Sequence, residues 1–324
     1  MTQKSWKPTA ATSVLERRAN MLRLARDFFA ARSVIEVETP TLTNSGVSDP
    51  HIASLTTQPA ACGERPYFLQ TSPEYAMKRL LASGAPDIYQ ICKVFRDQEI
   101  GQHHQPEFTM VEWYRQGATL DDMIEETCTF IIEINETPSL TVEKYRYRDI
   151  FLNTCHVDPL EAETDHLANC AALMIDSMTP DLRQQLGTDR NAWLDLLMSH
   201  VVIPSLTPDQ LTVIHHFPAD QAALARFDPE EPEFAERFEA FLNGIELANG
   251  YRELTDPAEQ RRRFNMDHEQ RRASGLPIME ADQALLAALD HGLPECSGVA
   301  IGFDRLVMTA CKLKHIDEAV SFAK

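Results

Sequence analysis

Three glutamates spaced seven residues apart are the side chains whose types and spacing most directly suggest chemistry. They are Glu239, Glu246 and Glu253, and the last two lie in the segment GIELANGYREL. A spacing of seven fits a solvated stripe on one helix face, but the pair Asn249-Gly250 predicts a turn that would interrupt such a helix. The apolar neighbours indicate half-buried, strand-like backbone, where a carboxylate needs a cation or hydrogen-bond donors. The segment therefore predicts a site for an amine, a metal ion, or both.

Several other polar side chains also stand in apolar stretches of the chain. Glu112 and Tyr114 have the same parity in a predicted strand, so their side chains face the same way. Each residue alone is explained by surface exposure or packing, but six glutamates with two arginines in such surroundings favour a functional site. The other members of this set are Glu74, Arg96, Glu107, Asp304 and Arg305.

The composition is that of an ordinary globular protein. With 324 residues, 44% hydrophobic and 24% charged, the chain is long enough for one large domain spanning 1–324. The net charge of -19 argues against broad nucleic-acid binding, and the arginines at 261–263 and 271–272 predict a solvated helix face. Seven cysteines without a C-x-x-C pair indicate free thiols. The lack of an apolar leader or membrane-length segment predicts a cytoplasmic protein.

The predicted elements mix helices with hairpins. The stretch from 87 to 117 predicts a strand, a polar loop and a returning strand. Residues 150–205 predict a helical insertion, because several helix-like segments there are separated by prolines. Regular strand–helix–strand alternation is absent, which favours an α+β fold with an antiparallel sheet over a doubly wound one. Further helices are predicted from about 13, after Pro73, and at 120–136, 256–274 and 281–291.

Five ordered motifs carry a family resemblance. VIEVETPTL, with Pro40, resembles motif 1 of the class II aminoacyl-tRNA synthetases, VFRDQEIGQHHQPEFTMVEWY resembles motif 2, and SGVAIGFDRLVM resembles motif 3. TSPEYAMKRL and GIELANGYREL resemble the lysyl-specific members. The resemblance covers essentially the whole chain. It implies an antiparallel sheet of six or seven strands flanked by helices, and a homodimer built around motif 1.

The resemblance implies ATP and Mg²⁺ as the cofactors of the reaction. Its chemistry is attack of an amino-acid carboxylate on the α-phosphorus of ATP, an in-line displacement in which charge placement dominates. Arg96 and Arg305 are then the catalytic residues, because bidentate guanidinium groups suit the α- and γ-phosphates. Glu239 and Glu246 would bind Mg²⁺. The full implied ATP-binding set is Arg96, Asp97, Gln98, Gln105, Phe108, Glu246, Leu247, Gly302 and Arg305.

The resemblance also implies a pocket for a lysine-like substrate. Glu74 would take the backbone-side amine, and Glu112, Tyr114, Asn249 and Glu253 would surround the side-chain ammonium. A desolvated ammonium needs several acceptors and opposite charge, which fits a doubly aminated substrate better than aspartate. The implied substrate-binding set is Ser72, Pro73, Glu74, Glu112, Tyr114, Asn249, Glu253 and Ala300.

Full lysyl-tRNA synthetases carry an N-terminal OB-fold domain that reads the anticodon, and no room for it is expected here. The first helix is predicted near residue 13 and motif 1 near residue 34. The chain therefore looks like the truncated lysyl-synthetase paralogues that modify elongation factor P. These join (R)-β-lysine, through an adenylate, to a lysine ε-amine of the factor. The resemblance thus implies elongation factor P as partner, with no tRNA charging.

Two positions depart from the lysyl-synthetase pattern. Motif 3 usually reads G-x-G-x-G-x-D-R, and Ala300 replaces its middle glycine. The added methyl group fits a substrate whose amine lies one carbon further along, although a neutral substitution is the alternative. Motif 2 usually has Glu at the position of Gln98, so Asp97 or Glu99 is expected to compensate.

Three other functions remain open from the sequence. The first is an inactive synthetase-like regulatory subunit, which the retention of Arg96, Arg305, Glu239 and Glu246 argues against. The second is an ammonia-dependent asparagine synthetase, but an aspartate pocket lined with glutamates is unfavourable. The third is a tRNA-lysylating enzyme whose anticodon domain is a separate chain.

Overall fold

The computed structural model describes residues 6–63 and 65–323. Their α-helices are α1 (Thr12–Ala30), α2 (Glu74–Ala82), α3 (Leu120–Asn135), α4 (Tyr147–Cys155), α5 (Thr164–Met174), α6 (Pro180–Leu186), α7 (Arg190–Leu197), α8 (Ile203–Ser205), α9 (Pro257–Ala273), α10 (Gln283–His291) and α11 (Phe303–Ala310). Their strands are β1 (Ile35–Glu36), β2 (Leu42–Thr43), β3 (Thr56–Thr57), β4 (Tyr67–Leu69), β5 (Ile88–Phe95), β6 (Glu107–Gln116), β7 (Thr141–Arg146), β8 (Gln210–Pro218), β9 (Phe234–Leu242), β10 (Ile245–Arg252) and β11 (Cys296–Gly302). Short turns of other helix types occupy Ala60–Cys62, Met198–Val202, Ala219–Gln221 and Ile316–Ala319.

The chain forms two compact units. The first runs to Pro138 and resumes at Glu253, and the second is Ser139–Arg252. In the first unit the strands follow the order β1-β5-β6-β11, with β1 parallel to β5 and the other pairs antiparallel. Strands β2, β4 and β3 form a separate antiparallel sheet. Strands β5 and β6 are the long hairpin that the sequence predicts.

Aromatic side chains attach α1 and α3 to one face of the first unit's main sheet. Phe29 of α1 stacks on Tyr89 of β5, with ring centroids 4.1 Å apart. Phe130 of α3 packs against Trp113 of β6 at 5.2 Å. Tyr89 and Trp113 are cross-strand partners, so both rings lie on the same face. The residues of opposite parity on β5 and β6 therefore face away from these helices and are available for a site.

The second unit has its own sheet and core. Its strands follow the order β10-β9-β8-β7, with β7 parallel to β8 and the other pairs antiparallel. Tyr147, Phe151 and Trp193, from the helices after β7, pack in one buried cluster with Phe217 and Phe241 from the sheet. Helices α4–α8 occupy the predicted helical segment, whose origin as an insertion at 150–205 stays a prediction.

The hairpin between β9 and β10 turns at Asn243 and Gly244. Both residues have positive φ, 54° and 73°, as a two-residue hairpin loop with the right-handed strand twist requires. The turn predicted at Asn249-Gly250 is wrong, because these residues lie inside β10, paired with β9. The hairpin uses the earlier Asn-Gly pair, and cross-strand hydrogen bonding holds the later pair extended.

A β-bulge interrupts the pairing of β10 with β9. Glu246 pairs with Phe241 and Ala248 pairs with Ala240, so Leu247 is the extra residue. The bulge shifts the alternation of side chains by one position. Glu246 therefore faces the same side of the sheet as Asn249, although the two are three residues apart.

Arg271 near the end of α9 organises the loop after β2. Its guanidinium is buried, and its Nε donates to the carbonyl oxygen of Ser48 at 2.7 Å. Its Nη2 donates to the carbonyl oxygen of Asp49 at 2.7 Å. The solvated face predicted for this basic run is therefore wrong at Arg271, because a buried guanidinium satisfies loop carbonyls there. It is also wrong at Arg263, which is buried and pairs with Glu259. Arg261 and Arg262 behave as predicted and form exposed pairs with Asp290 and Glu259.

The predicted fold class is confirmed: mixed and antiparallel sheets flanked by helices make an α+β protein. None of the helices formed by residues 6–63 and 65–323 combines the length and apolar character that crossing a bilayer requires. A single domain spanning 1–324 without an anticodon-binding part stays a prediction.

Candidate functional site

The candidate site begins with a row of side chains on the helix-free face of the first unit's sheet. Gln90 of β5, Glu112 of β6 and Ala300 of β11 are direct cross-strand partners. Tyr114 lies two residues after Glu112 and opposite Gly298. These side chains share one face because each pair along a strand is separated by two residues. The row is thus held by three paired strands.

Glu112 is buried, with 2% of its surface exposed, and accepts two hydroxyl hydrogen bonds. The Tyr114 hydroxyl donates to its Oε1 at 2.7 Å, and the Ser72 hydroxyl donates to its Oε2 at 2.7 Å. Burial and the charge of Glu74 raise the pKa of Glu112 to about 8, although the two donors oppose the rise. The carboxyl group is therefore largely protonated near neutral pH and ionises readily when a cation arrives.

The start of α2 brings two more predicted residues to this row. Pro73 is the residue before the first helical turn, and its fixed φ suits that position. The Ser72 hydroxyl oxygen accepts the backbone N–H of Glu74 at 3.0 Å while the same hydroxyl donates to Glu112. Glu74 is thereby fixed at the positive end of the helix dipole, where a carboxylate is favoured.

A buried lysine joins two of the carboxylates. Nζ of Lys78 lies 2.7 Å from Oε1 of Glu74 and 2.6 Å from Oε2 of Glu253. Lys78 and Glu253 are only 2% and 1% exposed. Burial alone would lower the pKa of Lys78, but the charges of Glu253 and Glu74 raise it above its ordinary value. Lys78 is therefore a buried ammonium ion inside the acidic pocket.

The predicted set did not include Lys78, although the sequence holds a signal for it. Lys78 follows Glu74 by four residues, which places both on one helix face. It also lies between Met77 and Leu81, which face the core. A lysine on the buried side of an amphipathic helix, one turn after a predicted substrate-binding glutamate, indicates a buried ion pair.

Gly298 gives Tyr114 and Glu253 the space they occupy. A Cβ atom on Gly298 would lie 2.5 Å from Oε1 of Glu253 and would overlap the Tyr114 ring. Such contacts are shorter than real Cβ contacts, so a side chain here would displace both groups. The first glycine of motif 3 is therefore a pocket residue, which the predicted set did not contain.

Gln90 is a third pocket residue absent from the prediction, after Lys78 and Gly298. It is 3% exposed, and no described group donates a hydrogen bond to its Oε1. A buried acceptor without a donor is unfavourable by roughly 1–3 kcal/mol, so a ligand with N–H donors would be stabilised there. The sequence holds no signal for this role, because the neighbours of the same parity in β5, Ile88 and Cys92, are apolar.

The motif 2 residues lie at the open end of the β5–β6 hairpin. The Arg96 guanidinium lies over the Phe108 ring, 5.3 Å from its centroid, and Nε donates to the carbonyl oxygen of Thr71 at 3.4 Å. Arg96 Nη1 is 3.6 Å from Oε1 of Glu99. Glu99 thus supplies the carboxylate beside Arg96 that Gln98 cannot. Asp97 and Gln98 are exposed, and Phe108 is half-buried with a ring available for stacking.

Arg305 extends from the first turn of α11 to the same hairpin loop. Its Nε donates to the carbonyl oxygen of His103 at 3.2 Å, and its Nη2 lies 2.6 Å from Nε2 of His104. Asp304 fixes this helix end, because its Oδ2 accepts the Thr109 backbone N–H at 3.0 Å.

Two other predicted nucleotide residues lie around the same hairpin and helix. A Cβ on Gly302 would meet only the Arg305 side chain, at 3.5 Å, which is an ordinary contact. Gln105 is buried and donates to Asp317. Its amide is therefore already engaged within the protein.

The remaining predicted residues belong to the second unit. Glu239 of β9 accepts a hydrogen bond from Arg237, and Asn249 of β10 is its direct cross-strand partner. Burial raises the pKa of Glu239 to about 7, Arg237 opposes this rise, and the charge of Glu246 adds to it. Leu247 is buried, so only its backbone could contact a nucleotide.

The donor set of this second unit fits magnesium. No three His, Cys, Asp or Glu side chains converge as a metal cage among residues 6–63 and 65–323. Mg²⁺ does not need such a cage, because it is usually bound by one or two carboxylates together with substrate phosphates. Glu239 and Glu246 are two carboxylates on one sheet face. Oδ1 of Asn249 is buried and has no donor among the described residues, so it could accept from a metal-bound water.

The arrangement therefore offers three kinds of binding. The first unit offers an acidic pocket with one internal ammonium ion, suited to a substrate carrying amines. It also offers two arginines around one hairpin loop, suited to phosphate groups. The second unit offers paired carboxylates for a divalent cation. The structure brings the predicted residues of the first unit together as two neighbouring groups along β5 and β6, which are the acidic pocket and the two arginines.

Comparison with known proteins adds family membership to this geometry. A family model described as tRNA synthetases class II (D, K and N) matches residues 5–324. The elongation factor P–(R)-β-lysine ligase of Edwardsiella ictaluri (strain 93-146) is 41% identical over 322 residues, covering 98% of this chain and 97% of the relative.

Two further relatives bear the same name. The protein from Haemophilus influenzae (strain PittGG) is 42% identical over 321 residues, covering 98% of this chain and 97% of the relative. The protein from Avibacterium paragallinarum is 42% identical over 329 residues, covering 100% and 99%. Identity at this level over whole chains decides the assignment: the chain belongs to the class II tRNA synthetase family and, within it, to the elongation factor P–(R)-β-lysine ligases.

Proposed function

We propose that this protein activates (R)-β-lysine with ATP and transfers it to the ε-amine of a lysine of elongation factor P. The observation that carries the proposal is the buried pocket of the first unit, in which Glu74, Glu112 and Glu253 accompany one ammonium ion, that of Lys78. With Glu112 protonated, the pocket has a net charge of -1. A diamino acid with two ammonium groups and one carboxylate has the opposite net charge.

The pocket offers each amine of such a substrate an acceptor. Glu74 at the start of α2 would accept from the amine near the carboxylate. Glu112, Tyr114 and Glu253 would accept from the side-chain ammonium. Ammonium groups removed from water need this number of acceptors. A dicarboxylate substrate such as aspartate would meet like charge instead, which disfavours an asparagine synthetase.

The activation step joins the substrate carboxylate to the α-phosphorus of ATP. A carboxylate oxygen forms the new P–O bond, and the bond to the β-phosphate bridging oxygen breaks, releasing pyrophosphate. Arg96 would stabilise charge on the α-phosphate and Arg305 on the γ-phosphate, while Phe108 would stack on adenine. Asp97, Gln98, Gln105 and Gly302 would complete the nucleotide site of the first unit. Mg²⁺, held by Glu239 and Glu246, would neutralise phosphate charge.

The transfer step is acyl transfer to an amine. The ε-amine of the acceptor lysine attacks the carbonyl carbon of the adenylate, and the C–O bond to AMP breaks. The nitrogen loses a proton and an amide forms. Activation is necessary because a free carboxylate does not form an amide at neutral pH. The acceptor in this proposal is elongation factor P, and the active form is a homodimer.

Intact-mass spectrometry of elongation factor P tests this function. The factor is incubated with this protein, ATP, Mg²⁺ and either (R)-β-lysine or α-lysine, with a reaction lacking ATP as control. We expect a mass gain of one lysyl residue that requires ATP and is larger with (R)-β-lysine. A parallel reaction replaces the factor with tRNA. Charging of tRNA in place of the protein would contradict the proposal, and so would a lack of pyrophosphate exchange with either diamine.

A further inference from the structure

Lys78 is the one buried cation in contact with two carboxylates of the proposed substrate pocket, among the residues that the structure describes. Its Nζ lies 2.7 Å from Glu74 and 2.6 Å from Glu253. In the proposed function these two glutamates accept different amines of one substrate. The same nitrogen atom therefore contacts the acceptor for each end of the substrate.

The first consequence concerns charge. Burial and the charges of Glu74 and Glu253 raise the pKa of Glu112 to about 8. Three carboxyl groups without an internal cation would repel one another in a buried site. Lys78 balances one of these charges through its ion pairs with Glu74 and Glu253.

The second consequence concerns distance. Two charge-assisted hydrogen bonds to one ammonium nitrogen fix the separation between the Glu74 and Glu253 carboxylates. α-Lysine and β-lysine differ in the position of one amine by one carbon atom. A fixed separation between the two acceptors discriminates between substrates that differ in amine separation, whereas mobile acceptors would adapt to both.

We propose that Lys78 is a positioning residue for diamino-acid recognition, which pairs with Glu74 and Glu253 and holds them at the separation that selects the amine position. The inference rests on the proposed function. Lys78 does not contact the reacting atoms and acts through the two glutamates. Its neighbour Arg79 is exposed on the same helix and contributes a charge outside the pocket.

Isothermal titration and pyrophosphate exchange test the inference in the full-length protein. Lys78→Met removes the charge and keeps the length, and Arg79→Met is the matched control. We expect Lys78→Met to raise the KM for both diamines by about 10- to 100-fold, the range found when the residues that orient metal ligands are removed. The KM for ATP should stay at the wild-type value, whereas general unfolding would affect both substrates. Arg79→Met should match the wild type.

Lys78→Arg is the second variant, and it decides the matter if Lys78→Met does not fold. Arginine retains the charge but spreads its donors over a wider plane, so the two carboxylates must separate. We expect near-normal binding of ATP, partial recovery of diamine binding and a changed ratio of kcat/KM for (R)-β-lysine and α-lysine. A wild-type ratio in Lys78→Arg, or wild-type diamine KM values in folded Lys78→Met, would overturn the inference. Failure of the wild type to bind any diamine would instead refute the proposed function.

Discussion

Glu112 and Ala300 face each other across the pairing of β6 with β11. The methyl group of Ala300 therefore lies beside the carboxyl group proposed to receive the substrate's side-chain ammonium. We predict that Ala300→Gly shifts the ratio of kcat/KM toward α-lysine by about tenfold, because one methyl group in a pocket commonly contributes about 1–3 kcal/mol of discrimination. Pyrophosphate exchange with each diamine measures this ratio.

The control for Ala300→Gly is Val299→Ala. Val299 is buried on the opposite face of the same strand, so its truncation perturbs the strand without reaching the pocket row. Val299→Ala should leave the ratio of kcat/KM for the two diamines unchanged while lowering the free energy of unfolding. An Ala300→Gly enzyme with the wild-type ratio would show that this methyl group is not a selectivity element.

The raised pKa of Glu112 predicts a pH-dependent KM for the diamine. Below about pH 8 the carboxyl group is mostly protonated, so binding a cation must first release this proton. KM should fall by up to about tenfold per pH unit as the pH rises toward 8, and should level off above it. Steady-state kinetics over this range measure the slope, and Glu112→Gln should remove it. A flat profile in the wild type would contradict the assignment.

The Glu112 carboxyl group also makes the free energy of unfolding depend on pH. The direction of this dependence is opposite to that caused by an ordinary ion-paired glutamate. The folded-state pKa of about 8 is above the ordinary value of 4.5, so the folded protein binds this proton more tightly than the unfolded chain. The stabilisation is complete below 4.5 and is lost as the pH rises through 8. Thermal denaturation should show a weaker pH dependence in Glu112→Gln than in the wild type.

Two glycines of motif 3 should respond differently to alanine. Gly298→Ala places a Cβ against Glu253 and Tyr114, and we expect loss of diamine binding with a destabilisation of about 1–3 kcal/mol. Gly302→Ala meets only the flexible Arg305 side chain, so the unfolding free energy should change by less than about 1 kcal/mol. Its effect should fall on the KM for ATP. Chemical denaturation and substrate titrations distinguish the two variants. Equal effects of both substitutions on stability and on diamine binding would contradict the pocket geometry.

Two changes test the proposed nucleotide and metal residues. Glu246→Gln and Arg305→Ala should each reduce pyrophosphate exchange by about 100-fold or more, because each removes a charge that acts on phosphate or on its metal ion. The melting temperatures should remain close to that of the wild type. Glu143→Gln, at an exposed position on β7, is the control for loss of a strand glutamate. Near-normal exchange in both variants would refute these roles.

Much of the fold could be predicted from local pattern. The strand, polar loop and returning strand predicted between residues 87 and 117 are confirmed as the hairpin of β5 and β6. The choice between two Asn-Gly pairs could not be made locally. Asn243-Gly244 turns and Asn249-Gly250 does not, because the partner strand β9 decides which pair is extended.

The residues of the site that belong to motifs could be predicted from the sequence. The prediction was incomplete for residues whose role depends on tertiary packing. Ser72, Glu74, Glu112, Tyr114 and Glu253 are close to one another as the motifs imply. Lys78 carries a charge that residue type alone assigns to the surface. Its position on the buried side of α2 argues against that expectation, and its contacts with Glu74 and Glu253 give the role that the sequence does not. Arg271 is another buried cation that the sequence did not predict, and it lies outside the site. Its partners are backbone carbonyls, which no sequence pattern specifies.

The bulge at Leu247 compensates for the odd spacing of two side chains in the second unit. Glu246 and Asn249 are three residues apart and share a face only because one residue is unpaired between them. If β10 were paired regularly without a change of length, strict alternation would place these two side chains on opposite faces of the sheet. Deleting Leu247 would remove the bulge but leave Glu246 and Asn249 two residues apart, so they would still share a face. The bulge and the number of residues between the two side chains are therefore matched, and a change in one without the other would separate them.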